Sequence, residues 1–126
     1  MSTVKKLTPE QFKSRFDGVF HGSPDEARSY MQGILNPNYI WYQAGSNRTD
    51  FERAVEKATY LRTNCKKWDS SLMFFAQDEN RIAARLVADM ALGDMPETKV
   101  EVMMMLEVDE ERKWVAAWEQ ATEFLG

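Results

Sequence analysis

The second half of the chain contains four apolar runs that are separated by turn residues. The runs are Leu72–Ala76, Ile82–Leu92, Val100–Val108 and Trp114–Phe124, and the breaks carry Asp78-Glu79-Asn80, Gly93-Asp94-Met95-Pro96 and Asp109-Glu110-Glu111. Apolar runs of this length between turn signals are typical of consecutive strands. We therefore predict a meander of four long antiparallel strands.

Three segments before this meander carry the residues that begin helices. Each offers a side-chain oxygen for the N-cap and, three residues later, a Gln or Glu: Thr8-Pro9-Glu10-Gln11, Ser23-Pro24-Asp25-Glu26 and Thr49-Asp50-Phe51-Glu52. The cap oxygen accepts a free amide of the first turn, and the later side chain reaches back to the cap. Helices are predicted at about 9–20, 24–35 and 50–63, with a short strand at 39–44 and a turn at Gly45-Ser46-Asn47.

This order of elements indicates the fold class. Helices segregated on one side of an antiparallel sheet form an α+β architecture. A chain of 126 residues is long enough for one domain that buries about two-thirds of its unfolded surface. We expect a single domain over residues 1–126, in which a strongly curved antiparallel sheet packs against three N-terminal helices and leaves a cone-shaped hollow.

Composition excludes several classes of protein. The formal net charge is −4 and no basic stripe is present, so neither nucleic acid nor an anionic membrane is expected as a partner. The start, Met1–Lys6, is mostly polar and no run is long enough to span a bilayer, which predicts a cytoplasmic protein. Cys65 and His21 are each the only residue of their kind, so no disulfide framework, metal site or cofactor is predicted.

The chain resembles the nuclear-transport-factor-2-like superfamily and, within it, the SnoaL-like proteins. The similar segments are the two opening helices, the strand entry at 38–41, the helix entry at 48–51, the hairpin at 78–82 and the ending at 108–119 with its Trp118-Glu119. The resemblance implies a conical α+β barrel with a pocket between sheet and helices, and often a dimer through the sheet. This superfamily includes isomerases, cyclases, dehydratases, epoxide hydrolases and non-catalytic binding domains, so function must be argued from the site.

Strand parity assigns side chains to the predicted pocket, because alternate residues of a strand point to opposite faces. In the last strand Trp114, Ala116, Trp118 and Gln120 should share the pocket face, together with alternate residues of 82–90 and 102–108. These rows are almost wholly apolar, and their small alanines leave volume beside the Trp side chains. The predicted ligand-binding residues are Phe16, Trp41, Tyr42, Tyr60, Leu86, Ala88, Met104 and Trp118.

The catalytic residues implied by the resemblance are mostly missing. A ketosteroid-isomerase-like enzyme needs a carboxylate base, a Tyr on the first helix and a protonated Asp on the sheet, and the matching positions hold Tyr42, Phe16 and Met104. A limonene-epoxide-hydrolase-like enzyme needs an Asp-Arg-Asp set, and the matching positions hold Leu86, Ala88 and Glu119. One acid in these six positions does not make a recognisable catalytic set.

Asp89, Glu119 and Tyr42 are the remaining candidate catalytic residues. As a functional set, Asp89 or Glu119 would be an acid–base group held by Arg85. A register slip of one residue would turn Arg85 and Asp89 inward. In the alternative, Arg85, Asp89 and Glu119 are all solvated residues on the outer face of the sheet, paired across strands. His21 either complements the dipole at the end of the first helix or acts in catalysis.

The other face of the sheet is also apolar. Its predicted members are Met73, Phe75, Val87, Met103 and Met105. A sheet face in contact with solvent should alternate apolar with polar residues along each strand. A second copy of the chain is the natural cover, so a homodimer through the sheet is predicted.

Three functions are compatible with these patterns. The first is a binding domain for a small hydrophobic molecule. The second is an isomerase, cyclase or dehydratase that acts on a hydrophobic ring compound through Asp89 or Glu119 with Tyr42 or Tyr60. The third is a protein-interaction module that uses the Met-rich sheet. A carboxylate in the cavity would favour the enzyme, an all-apolar cavity the binding domain, and a filled cavity with an asymmetric partner the interaction module.

Overall fold

The computed structural model describes residues 6–43 and 47–123. Its helices are α1 (Pro9–Asp17), α2 (Ala27–Ile34) and α3 (Phe51–Asn64). A 3-10 turn at Pro24–Glu26 precedes α2. Its strands are β1 (Leu35–Gln43), β2 (Asn47–Asp50), β3 (Cys65–Asp78), β4 (Arg81–Leu92), β5 (Thr98–Val108) and β6 (Trp114–Glu123). The predicted α+β class is confirmed. Ala44, Gly45 and Ser46 of the predicted strand end and turn, and Phe124 of the last run, lie outside the described residues.

The six strands form one sheet in the order β2-β1-β6-β5-β4-β3. Strands β3 to β6 are the predicted antiparallel meander. The sheet is mixed rather than wholly antiparallel, because β1 runs parallel to β6, a pairing that the long connection between them permits. It is also open, with β2 and β3 at its edges, so the predicted barrel does not close.

Two helices begin at side-chain caps. Thr8 forms the predicted capping box, since its hydroxyl accepts from the amide of Gln11 and its own amide donates to the Gln11 side chain. The cap of α3 is Asp50, which accepts from the amide of Arg53 at 2.9 Å. The predicted cap, Thr49, is instead buried and belongs to the site described below.

Helix α1 ends three residues earlier than predicted, and side chains from the other helices bind carbonyl groups at its end. Tyr30 of α2 donates to the carbonyl of Arg15 at 2.7 Å. Arg62 of α3 donates to the carbonyl of Gly18 through two nitrogens, at 2.7 and 3.1 Å. The Tyr30 ring lies so close to Gly18 that a Cβ there would be 2.0 Å from its hydroxyl oxygen. The three helices are thus locked together at this point.

The inner rows of β4 and β5 are as parity predicts. Buried members are Ile82, Ala84, Leu86 and Ala88 of β4, and Val102, Met104, Leu106 and Val108 of β5. They pack below the aromatic face of α1, where the ring centroid of Phe12 lies 6.0 Å from that of Trp114 and 5.5 Å from that of Phe75. Each fully buried side chain of this size contributes about 1.5–3 kcal/mol, so this layer stabilises the contact between α1 and the sheet.

Strand β3 contains an irregularity that changes which residues face the core. Its pairing with β4 shifts between Leu72 and Phe74, which leaves Met73 as an extra residue. Met73 and Phe74 are consequently both exposed, whereas Phe75 packs against α1. The prediction that Phe75 lies on the outer face is therefore wrong, because a bulge reverses parity beyond it.

Strand β6 contains a second irregularity of the same kind. Glu107 pairs with Ala116 but Val108 pairs with Trp114, so Val115 is the extra residue. Trp114 and Ala117 are both buried, and Trp118 is 41% exposed on the outer face. The prediction that Trp118 shares the inner face with Trp114 is wrong for this reason.

Asp17, the last residue of α1, ties this helix to β3. Its Oδ1 accepts hydrogen bonds from Trp68 Nε1 at 2.8 Å and from Ser70 Oγ at 2.6 Å, while its Oδ2 binds Lys13 Nζ at 2.8 Å. Burial alone would raise the pKa of Asp17, but the hydrogen bonds from Lys13, Ser70 and Trp68 outweigh it and lower the pKa below 3.8. The folded state therefore favours the ionised carboxylate.

We expect Asp17→Asn to lower the free energy of unfolding by about 1–2 kcal/mol at pH 7, because the hydrogen bonds to a charged acceptor are weakened. The folded pKa of Asp17 is below its unfolded pKa, so the stabilisation is present above pH 3.8 and is lost as the pH falls through the folded pKa. Urea denaturation at pH 7 and below pH 4 measures both effects. The control is Asp94→Asn, in an exposed turn, which should change little; equal effects of the two substitutions would contradict the role of Asp17.

Candidate functional site

An inner cavity of about 170 Å³ lies between the sheet and the ends of α1 and α3. Its wall is mostly apolar and includes Phe16, Phe20, Trp41, Trp68, Met90 and Val102. Among the described residues that line it, Lys57 of α3 and Glu119 of β6 carry charge. The cavity is therefore a hydrophobic space with one cation and one anion on its wall.

Stacked rings form the side of the cavity nearest α1. The rings of Phe20 and Trp68 are parallel, with centroids 3.7 Å apart, and Phe16 lies 5.9 Å from Trp68. Trp68 is held in place by the hydrogen bond of its Nε1 to Asp17. A ring fixed at both its face and its nitrogen makes a rigid wall, which suits recognition of a flat apolar molecule.

Lys57 reaches the opposite wall from the inner side of α3. Its Nζ donates to the hydroxyl of the buried Thr49 at 2.9 Å and lies 5.7 Å from the ring centroid of Trp41. Burial and the charge of Arg53 lower the pKa of Lys57, and the Glu119 carboxylate opposes them. The ammonium is thus positioned by a hydroxyl, an aromatic face and an opposite charge.

Glu119 enters the cavity because of the bulge in β6. The extra residue Val115 turns Ala117 and Glu119 inward and Trp118 outward. The neighbouring Tyr39 is fully buried, and its pKa is raised well above 10.0 by burial and by the charge of Glu119. Among the described residues, the Tyr39 hydroxyl has no hydrogen-bond partner. A neutral phenol beside a carboxylate adds a third polar group on this side of the fold.

The predicted ligand-binding residues lie in three different places. Phe16 and Trp41 line the cavity. Leu86, Ala88 and Met104 are buried in the core, on the inner rows of β4 and β5. The others are outside: Tyr42 and Trp118 stack on the outer face with ring centroids 6.0 Å apart, and Tyr60 is 57% exposed on α3. A ligand-binding role for any of them stays a prediction.

Asp89 and Arg85 lie on the outer face and make ion pairs with β5. Arg85 Nε is 2.6 Å from Glu101 Oε2, and Lys99 Nζ is 3.4 Å from Asp89 Oδ1. These are the cross-strand pairs expected for solvated residues without a register slip. The structure thus brings Glu119, but neither Asp89 nor Tyr42, to the inner cavity.

His21 lies beyond the end of α1 rather than on its last turn. It is exposed, and its Nε2 forms a hydrogen bond of 3.0 Å with the carbonyl oxygen of Trp68. Because α1 ends at Asp17, the predicted dipole contact is not made at the helix terminus. Its main contact is with the strand that carries the cavity wall.

Sequence reasoning missed Lys57 and Asp17. The signal for Lys57 was present, because Ala54, Lys57, Ala58 and Leu61 follow the spacing of one helical face, and a Lys within an apolar stripe is unusual. Asp17 follows Phe16 directly and carries no comparable pattern. Its role depends on Trp68 and Ser70, which are more than fifty residues away.

The outer face of the sheet exposes a cluster of large apolar side chains. Its members are Met73, Phe74, Met103, Met105 and Trp118, with Tyr42 stacked on the last of them. We call this cluster the outer patch. Neighbouring exposed apolar side chains of this kind are typical of interaction sites.

No group of His, Cys, Asp and Glu in residues 6–43 and 47–123 is arranged to hold a metal ion. None of the helices described is long and apolar enough to cross a membrane.

Solved structures provide the comparison with known proteins, since the sequence matches no family model and no curated protein. A protein from Rhodopseudomonas palustris assigned as an isomerase superimposes with a TM-score of 0.73 at 7% identity, covering 94% of this chain and 91% of that one. A protein from Jannaschia assigned as a SnoaL-like polyketide cyclase gives 0.66 at 9% identity, with 93% and 90% covered. An LEH-like epoxide hydrolase from M. tuberculosis gives 0.65 at 10% identity, with 86% and 80% covered. At these identities the likeness concerns the fold alone, and the chain has the nuclear-transport-factor-2-like, SnoaL-like fold that its sequence predicts.

Proposed function

We propose that the chain binds a small hydrophobic molecule in the inner cavity. The observation that carries this proposal is an aromatic-walled space of about 170 Å³ between sheet and helices. An apolar cavity of about 150 Å³ holds a benzene molecule, so one benzene-sized ring fits without rearrangement. Larger ligands would extend through the mouth of the cavity, where Ala121 is exposed at the end of β6.

A substitution at the mouth tests this proposal. We expect Ala121→Phe to fill the opening and weaken the binding of p-xylene at least tenfold. Because Ala121 is exposed, the free energy of unfolding should change by no more than about 0.5 kcal/mol. Titration followed by the fluorescence of the cavity residues Trp41 and Trp68 measures the affinity. The matched control is Ala76→Phe, an exposed alanine on β3, and equal affinities of the two variants would contradict the location of the site.

Glu119 favours a second candidate function, acid–base catalysis on a hydrophobic ring compound. A carboxylate on the wall of an apolar cavity can accept a proton from a bound molecule, and Lys57 also lines the cavity and can stabilise developing negative charge. This set differs from the predicted one, in which Tyr42 or Tyr60 assists the acid. The proteins of similar fold assigned as an isomerase and a cyclase support this candidate.

Proton exchange on a ring ketone tests the catalytic candidate. We expect the protein to accelerate deuterium incorporation beside the carbonyl of cyclohexanone in D2O, and Glu119→Gln to lower that rate by about 100-fold or more, as for loss of a general base. Proton NMR follows the exchange, with p-xylene binding as the check that the cavity is intact. A rate equal to that in buffer alone would leave ligand binding as the function.

We also infer that the outer patch is the interface of a homodimer. Its exposed members lie on three strands of one sheet surface, β3, β5 and β6, and Met103 and Met105 are 55% and 59% exposed. Burial of this surface against a second copy would stabilise the dimer by about 25 cal/mol for each Å² of apolar area removed from water. The alternative occupant of the outer patch is a different protein, as in the predicted interaction module.

The cytoplasmic location also stays a prediction.

A charge in the outer patch should disrupt this dimer. We expect the unmodified chain to be dimeric at micromolar concentration by light scattering, and Met103→Glu to be monomeric because a carboxylate would be buried without a partner. Met95→Glu is the matched control, since Met95 is 66% exposed in the turn between β4 and β5. A monomeric unmodified chain would contradict the dimer and favour another partner for the patch.

A further inference from the structure

We propose that Lys57 is a reactive amine that captures small aromatic aldehydes as a Schiff base in the inner cavity. This inference rests on the proposed binding function, because the ring of the aldehyde would occupy the same apolar space. It adds a covalent step and the chemical class of the ligand. Its basis is the place of Lys57 among the residues that line the cavity.

The amine of Lys57 lies beside a wall that is mostly apolar. Lys57 lines the cavity together with Trp41, and its Nζ lies 5.7 Å from the centroid of the Trp41 ring. Burial favours the neutral form of an amine, and so does a neighbouring cation. Both act here, because burial and the charge of Arg53 lower the pKa of Lys57, and the charge of Glu119 opposes them without reversing the shift. A larger fraction of this amine is therefore neutral and nucleophilic at neutral pH than in a fully solvated lysine.

The hydrogen bond between Lys57 and Thr49 is compatible with each stage of such a reaction. Nζ donates to the buried hydroxyl oxygen of Thr49 at 2.9 Å. A neutral amine can keep this bond with one of its two hydrogens and still present its lone pair to a carbonyl carbon. A protonated Schiff base has a single N–H, which can donate to the same oxygen. Thr49 thus positions the nitrogen before and after the carbon–nitrogen bond forms.

The reaction needs no oxidant, reductant or cofactor. After the ammonium has released one proton to water, the lone pair of the amine attacks the carbonyl carbon, and the electron pair of the C=O bond moves to the oxygen. The nitrogen then gives up a second proton and the oxygen gains two. The oxygen leaves as water, while the electron pair on nitrogen closes the C=N bond. Lys57 is half-buried, so water reaches it to carry these protons.

The cavity should make Lys57 faster than other lysines toward an aromatic aldehyde. Its volume of about 170 Å³ takes one benzene ring, and a ring bound there keeps its carbonyl group at high effective concentration beside the amine. Lys99 provides the contrast, because it lies on the outer face with its Nζ 3.4 Å from Oδ1 of Asp89. A carboxylate at that distance favours the charged ammonium, which is not nucleophilic.

Labelling with benzaldehyde and cyanoborohydride at neutral pH, mapped by peptide mass spectrometry, tests the proposal. Cyanoborohydride reduces the Schiff base to a stable benzylamine, so the rate at each lysine is measured separately. We expect Lys57 of the unmodified protein to be labelled at least about tenfold faster than Lys99. A saturating amount of p-xylene, which has the ring but no carbonyl group, should slow Lys57 about fivefold or more and leave Lys99 unchanged.

Two variants test the electrostatic surroundings of the amine through the pH dependence of labelling. Glu119→Gln removes the charge that raises the pKa of Lys57, so its labelling should reach half of the maximal rate at a lower pH. Arg53→Met removes a charge that lowers this pKa and should move the midpoint to a higher pH. Unchanged midpoints in both variants would overturn the proposal, because the amine would not then be activated by its surroundings.

Labelling of Lys57 at the rate of Lys99, while p-xylene still binds, would overturn the covalent step and leave hydrophobic binding intact. Fast labelling that p-xylene does not slow would also overturn the proposal, because the aldehyde would then react from outside the cavity. Absence of both p-xylene binding and preferential labelling would contradict the proposed binding function as well. These three comparisons use the unmodified protein, so they hold even if a variant does not fold.

Discussion

The single extra residue in β6 decides which side chains of the last strand meet the helices. Successive side chains of a strand point to opposite faces of the sheet. One extra residue therefore moves every side chain beyond it to the other face. With Val115 bulged, Trp114 and Ala117 are both buried, Glu119 lines the cavity and Trp118 joins the outer patch. The polarity of the cavity and the aromatic character of the opposite surface therefore have one common cause.

The parts of the fold that could be predicted are those that depend on local sequence. The buried rows of β4 and β5 follow strict alternation, and the capping box at Thr8 joins groups three residues apart. The bulges could not be predicted in the same way, because the sequence around Val115 is apolar on both parities. The parallel pairing of β1 with β6 also depends on distant segments. Glu119 was among the predicted catalytic candidates, but the bulge that turns its side chain into the cavity was not predicted.

Burial makes the charged form of Lys57 less favourable in the cavity than in water. Apolar residues in place of Lys57 and Glu119 would avoid the desolvation that lowers the pKa of the amine. The aromatic layer around Phe12 and Trp114 provides compensation, since its rings are wholly buried and closely packed. The closely packed core thus lies at one end of the sheet, and the apolar cavity with its two charged residues lies at the other.

The bulge at Met73 also affects the free edge of the sheet. Strand β3 is 14 residues long and leaves one side of its backbone unpaired. A straight edge of that length, with Met73 and Phe74 exposed, would offer a regular ladder of N–H and C=O groups to a strand from another chain. The bulge interrupts the spacing of that ladder, and the exposed Lys66 and Lys67 place positive charge at its beginning. The chain can thus present apolar side chains to solvent while its backbone resists aggregation through the edge.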